Sequence, residues 1–195
     1  MTHEPGGEAP VPPPAPGEEI SSALALVNTR LMRGGQQADL IADPATAGGW
    51  LAGRGLIPAG AAVTGADAVR LRELRELVRT LFAARAEGRV PAVGDVGVLN
   101  AALAAAPPVP ALAWDESGTR RAEVTPPQAG MVTVALARLA GDALDLLTAS
   151  GDPEPAPCGA HGCIRWFLRT HAARQWCSTR CGDRVRAARH YARHH

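Results

Sequence analysis

Apolar positions along the chain fall into helical runs separated by glycine and proline. From Glu19, the residues Ile20, Ala23, Leu24, Val27 and Leu31 form a stripe that predicts a helix ending at Gly34-Gly35. Asp43-Pro44 predicts a helix start, with aspartate as N-cap and proline in the first turn; this short helix carries Trp50 and Leu51 and stops near Gly53. The longest run follows Thr64 through Val69, Leu74, Leu77, Val78, Leu81 and Phe82 to Gly88, with Arg70, Arg72, Glu73, Arg75, Glu76 and Arg79 on its polar face. Asp95 opens another helix through Leu99 and Leu103, which Pro107-Pro108 breaks. Residues 109–124 read as two extended stretches around Ser117-Gly118, a small hairpin. Helical spacing returns over residues 128–149 through Met131, Val134, Leu136, Leu139, Leu144 and Leu147.

Two proline-rich stretches frame this pattern. Residues 1–18 hold too little apolar surface to order themselves and read as a disordered lead-in. Residues 151–157 read as an extended linker. The fold class is therefore α+β: a mostly helical N-terminal domain with a small hairpin over residues 19–150, then a small C-terminal module over residues 158–195.

Charge separates the same two regions. All 20 basic residues are arginine. Residues 158–195 hold eight arginines against one acid, Asp183, whereas residues 1–157 hold twelve arginines against eighteen acids. A basic module on an acidic body points to a polyanionic partner. No apolar run approaches the roughly 18 residues of a membrane span. The start of the chain lacks the basic and apolar regions of a secretory signal, so the chain reads as cytoplasmic.

The chemistry is concentrated in the module. All four cysteines lie there, as Cys158-x4-Cys163-x13-Cys177-x3-Cys181. Disulfides need an oxidising compartment, iron–sulfur clusters mostly follow other spacings, and neither pair has the two intervening residues of a redox CxxC. Four thiolates at this spacing favour a closed structural zinc site, with Zn2+ as the cofactor. Glycines flank the first pair, Ile164–Phe167 reads as a strand, and Cys177 and Cys181 begin a terminal helix: a treble-clef-like finger. On that helix Val185, Ala188 and Ala192 form a narrow apolar stripe, and Arg186, Arg189 and Arg193 share another face with Arg184 beside it. Guanidinium groups suit phosphates and guanine edges, so double-stranded DNA is the expected partner. The body offers no phosphate loop, no Ser/His/Asp set and no HExxH, and residues 18–150 contain neither histidine nor cysteine. An enzyme is therefore not expected, since a closed four-cysteine shell also leaves no open metal position.

The sequence Trp176-Cys177-Ser178 followed by Cys181-Gly182-Asp183-Arg184 resembles the bacterial CGNR zinc-finger family, named for a Cys-Gly-Asn-Arg motif; Asp183 stands where that family has asparagine. The body is similar to the ABATE domain that precedes this finger: Leu24 to Thr29 resembles its Leu-Asp-Phe-Val-Asn-Thr start, and Asp43-Pro44, Trp50-Leu51, Leu71–Glu76 and Leu99–Leu103 follow in order. The segment Phe167–Ala173 is shorter than the corresponding family stretch. The resemblance implies a stress-related transcription regulator whose zinc is held by Cys158, Cys163, Cys177 and Cys181, with Arg184 as the motif arginine. On this reading the body senses a small-molecule effector or dimerises, and Asn28, Thr29 and Trp50 are the residues to inspect for a ligand pocket. The rival is a zinc-stapled protein-interaction module that does not touch DNA.

Overall fold

The computed structural model describes residues 10–124, 128–151 and 153–194. The chain divides into two compact units that do not follow its linear order: residues up to Leu40 join those from Ala149 onward, and Ile41–Thr148 form the second unit.

The second unit is helical and follows its local signals. Its first helix, α2 (Pro44–Gly53; α1 lies in the other unit), starts at a capping box in which Thr46 N donates to Asp43 Oδ1 at 2.9 Å and Asp43 N to Thr46 Oγ1 at 3.2 Å. Helix α3 (Gly65–Ala86) repeats the device with Thr64 and Asp67. It ends before Gly88, whose φ of +63° suits the residue after a helix end. Its buried face is Ala68, Leu71, Leu74, Val78, Leu81 and Phe82, while Val69, expected in the stripe, is exposed. Helices α4 (Val93–Ala105) and α5 (Met131–Thr148) pack on each other, and both touch α3. Arg85 donates to Leu147 O at 2.6 Å, satisfying a carbonyl that the end of α5 leaves open. Strands β3 (Val109–Asp115) and β4 (Gly118–Val124) pair antiparallel from Val109↔Val124 to Asp115↔Gly118, which is the expected hairpin.

The first unit departs from local expectation in three places. The helix read from Glu19 to Gly34 is only α1 (Ser22–Val27), capped by Ser21 Oγ on Leu24 N at 3.0 Å. Strands β1 (Arg30–Arg33) and β2 (Gln36–Asp39) follow as a hairpin whose turn is Gly34-Gly35, at φ +59° and +84°. Two consecutive positive φ values make the glycine pair a primed hairpin turn rather than a helix stop. The second departure is the linker: part of residues 151–157 is strand β5 (Glu154–Pro157), paired antiparallel with β6 (Trp166–Arg169), and Glu154 meets Arg169 in an ion pair. Prolines fit there because β5 is an edge strand that can do without their amides.

The third departure is the lead-in. Residues 1–9 lie outside the described residues, but from Pro10 the chain is ordered. Ala15 is buried with Ala156, Cys158, Ala160, Phe167 and Cys177. Pro16 O accepts from Leu168 N at 2.8 Å, on the edge of β6 turned away from β5. Gly17, at φ +96°, lies so close to Leu168 that a Cβ there would collide with its side chain. A stretch too polar to fold alone is ordered by pairing with a strand from the other end of the chain.

Candidate metal centre

Four short devices bring the cysteines together. Cys158 leaves β5 with its amide on Arg165 O at 2.9 Å. The chain then turns through Gly162, at φ +71°, and Cys163 N closes the turn on Ala160 O at 2.9 Å. Gly159 N reaches Gln175 O at 2.9 Å, tying this turn to the approach of the second pair. Ser178 caps helix α6 (Thr179–His194) by accepting from Cys181 N at 3.2 Å, which sets Cys181 on the first turn.

The four sulfur atoms lie within 4.8 Å of one another. Cys163 Sγ stands 3.8 Å from Cys177 Sγ, which is 3.7 Å from Cys181 Sγ. A tetrahedron of thiolates at the usual Zn–S length of about 2.3 Å has edges of about 3.8 Å, so these separations are those of a metal-binding site. They are too long for S–S bonds of about 2.05 Å, and all four thiols are free.

Crowded thiols cannot ionise independently. Hydrogen bonds from the Cys163 and Cys177 thiols hold Cys158 far below the ordinary thiol range. Their bonds to Cys158, together with burial, push Cys163 up to about 11 and raise Cys177 as well. A divalent cation at the centre resolves this conflict, because it stabilises every thiolate at once. Cys177 N also donates to Cys158 Sγ at 3.4 Å, a contact that steadies a ligand sulfur.

Each residue of the motif after Cys181 has a structural role. Gly182 is buried, and a Cβ there would meet the Trp176 ring and Arg186 Nη1, each at 3.1 Å. Asp183 pairs with Arg186 at 2.6 Å, and that guanidinium also lies 5.8 Å from the Trp176 ring centre. Arg184 reaches toward Cys181 Sγ at 3.9 Å. Arg184, Arg186, Arg189 and Arg193 are all exposed. Of the expected apolar stripe only Val185 packs on the finger core, while Ala188 and Ala192 are exposed, so the second half of α6 projects clear of its own unit. His161 and His171 are exposed.

The three residues named for a ligand pocket do not share one unit. Asn28 and Thr29 belong to the first, Trp50 to the second. None of the three lines a described cavity. Thr29 Oγ1 donates to Leu26 O at 2.7 Å. Trp50, half-buried on α2, lies 5.9 Å from the Arg54 guanidinium. The amide of Asn28 behaves like a strand residue: Nδ2 donates to Trp166 O and Oδ1 accepts from Trp166 N, both at 2.8 Å. Glu18 Oε1 collects Asn28 Nδ2 at 2.6 Å, Arg165 Nη2 at 2.7 Å and Ala15 N at 2.9 Å. Sequence reasoning missed Glu18 and Arg165, and neither carries a local signal: one sits in a proline-rich stretch, the other among surface-like arginines.

Two family models match the sequence. Residues 21–150 match ABATE, described as "Putative stress-induced transcription regulator". Residues 156–194 match the CGNR zinc finger. No curated protein matches the chain. Among the described residues, no helix is long and apolar enough to cross a membrane.

Proposed function

The chain belongs to the ABATE family and ends in a CGNR zinc finger, and from that premise we propose that it is a zinc-dependent, cytoplasmic regulator of transcription that binds double-stranded DNA. Zn2+ is held by Cys158, Cys163, Cys177 and Cys181, and it fixes the first turn of α6 against β6. The observation that carries this reading is the exposed face of α6 beyond its first turn, which carries Arg186, Arg189 and Arg193. A helix anchored at one end and exposed at the other can enter a major groove, where guanidinium groups meet phosphates and guanine edges. The Asp183–Arg186 pair does not block this role: both side chains are well exposed, such pairs are worth little in water, and phosphate can displace the carboxylate. The helical body serves as an effector-sensing or dimerising domain.

The test is a titration of duplex DNA against salt with the zinc-loaded chain. About 4–5 phosphate contacts give a slope near −4 for log affinity against log salt. Arg186→Ala and Arg189→Ala lower the affinity without changing zinc content. Absence of salt-dependent binding removes the DNA reading.

One observation favours a second reading, a zinc-stapled protein-interaction module. Three of the four arginines already have partners within the finger, Arg184 at Cys181 Sγ, Arg186 at Asp183 and Arg193 at Arg189 O. Capture of an acidic protein partner that survives nuclease treatment, from a chain that does not bind duplex DNA, selects this alternative.

A further inference from the structure

The β3–β4 hairpin of the helical unit is almost wholly exposed. In its two strands of 7 residues each, only Ala111, Ala113 and Ala122 are half-buried. No third strand pairs with it among the described residues. A two-stranded ribbon by itself is marginal in water, and an open edge offers its amides and carbonyls to another strand. On the outward face Leu112 and Trp114, 70 % and 77 % exposed, lie opposite Arg121 and Thr119, and Pro110 lies opposite Glu123.

The two edges of the ribbon differ. Asp115 and Gly118 flank a two-residue turn, so theirs is the hydrogen-bonded pair that closes the hairpin, and such pairs recur at every second position. Pro110, Leu112 and Trp114 fall between them and turn their main chain away from β4. Pro110 has no N–H to give on that side, which blocks the outer edge of β3. The outward positions of β4 are Thr119, Arg121 and Glu123, and no proline lies among them. Arg120 is taken by Asp115, whereas Arg121 and Glu123 have no ion-pair partner among the described residues. A second β4 laid antiparallel across a two-fold axis at Ala122 sets Arg121 against the partner subunit's Glu123, and Glu123 against the partner subunit's Arg121. Both are outward positions, so about four main-chain hydrogen bonds form together with two pairs of opposite charge.

We propose that the free edge of β4 is a homodimer interface, which joins two hairpins into one four-stranded antiparallel sheet. This rests on the dimerising reading of the helical body and gives it a surface and a register. Pro110 blocks the outer edge of β3 in each copy, so the sheet stops at four strands and the assembly is a closed dimer rather than a fibre.

The test is sedimentation of the full-length, zinc-loaded chain over a concentration series. The wild type associates to a dimer. Arg121→Glu and Glu123→Arg each set like charges opposite one another twice and weaken the dimer at least about tenfold. The double variant exchanges the pairs and restores the wild-type affinity. Both side chains are exposed, so helicity and zinc content stay unchanged in every variant. Ala122→Cys, on the axis, forms an intermolecular disulfide under mild oxidation. Thr119→Cys does not, because its two copies lie about 20 Å apart along the sheet. A dimer that ignores both single reversals, or that crosslinks no better in the first cysteine variant than in the second, overturns this edge and leaves the dimerising reading to another surface. A chain that stays monomeric throughout overturns both and leaves the body its effector-sensing role. A monomer whose Ala122→Cys variant crosslinks to a different protein also overturns the proposal and assigns the edge to that partner.

Discussion

Replacing Asn28 by alanine separates a clamp from a ligand contact. The wild-type amide makes three hydrogen bonds, two to the backbone of Trp166 and one to Glu18. Trp166 is buried, so Asn28→Ala takes two hydrogen bonds from its backbone where water does not easily follow. Each such loss costs about 1–3 kcal/mol. Glu18 keeps Arg165 and the Ala15 amide, so its share of the loss is small. The expected destabilisation is about 3–5 kcal/mol, a large fraction of the roughly 5–15 kcal/mol that holds a typical domain together. Asn28→Asp fares no better, because its carboxylate retains the acceptor for Trp166 N but turns a negative charge on Trp166 O and Glu18. The assay is urea unfolding at saturating zinc, followed by fluorescence in a Trp50→Phe, Trp114→Phe background, so that only Trp166 and Trp176 of the first unit report. A loss below about 1 kcal/mol for Asn28→Ala would refute the clamp and return Asn28 to the candidate ligand contacts.

Three further predictions address the same architecture. Chelation of the metal, or Cys177→Ser, removes one zinc per chain and unfolds the finger, because so small a piece has little core without it; hydrogen exchange should then accelerate at the Trp166 and Leu168 amides, and protection that survives metal loss would contradict the coupling. Gly17→Ala combines an unfavourable positive φ with a collision against Leu168, so it should destabilise the first unit by about 2 kcal/mol or more in the same urea assay. The Thr64 hydroxyl bonded to Asp67 lowers that carboxyl below its ordinary value of 3.8. Its contribution to α3 is therefore complete above about pH 4 and fades as pH falls through the lowered value; acid titration of helicity should show a shallower low-pH slope in Asp67→Asn.

Local chemistry made much of this protein legible. The capping boxes at Asp43 and Thr64 and the hairpin over residues 109–124 each depend on residues a few positions apart. The cysteine tetrad was readable for a different reason: thiolate ligands at that spacing have few other uses. Gly34-Gly35 was ambiguous, because glycine serves a helix end and a hairpin turn equally well, and only the pairing of Arg30–Arg33 with Gln36–Asp39 decides between them. Asn28 was singled out by its sequence context, yet its role became visible only with Trp166, 138 residues away, in place beside it.

The sequence by itself determined the helices of the central unit, the grouping of the four cysteines and the basic terminal helix, since periodicity, capping and residue type are local features. Tertiary structure decided that residues before Leu40 belong with the finger, that a proline-rich stretch is an edge strand, and that Glu18, Asn28 and Arg165 form one buried network. Those outcomes rest on backbone groups of β6 that must find partners once buried, and the partners come from a segment that has no reason to be ordered until β6 is there.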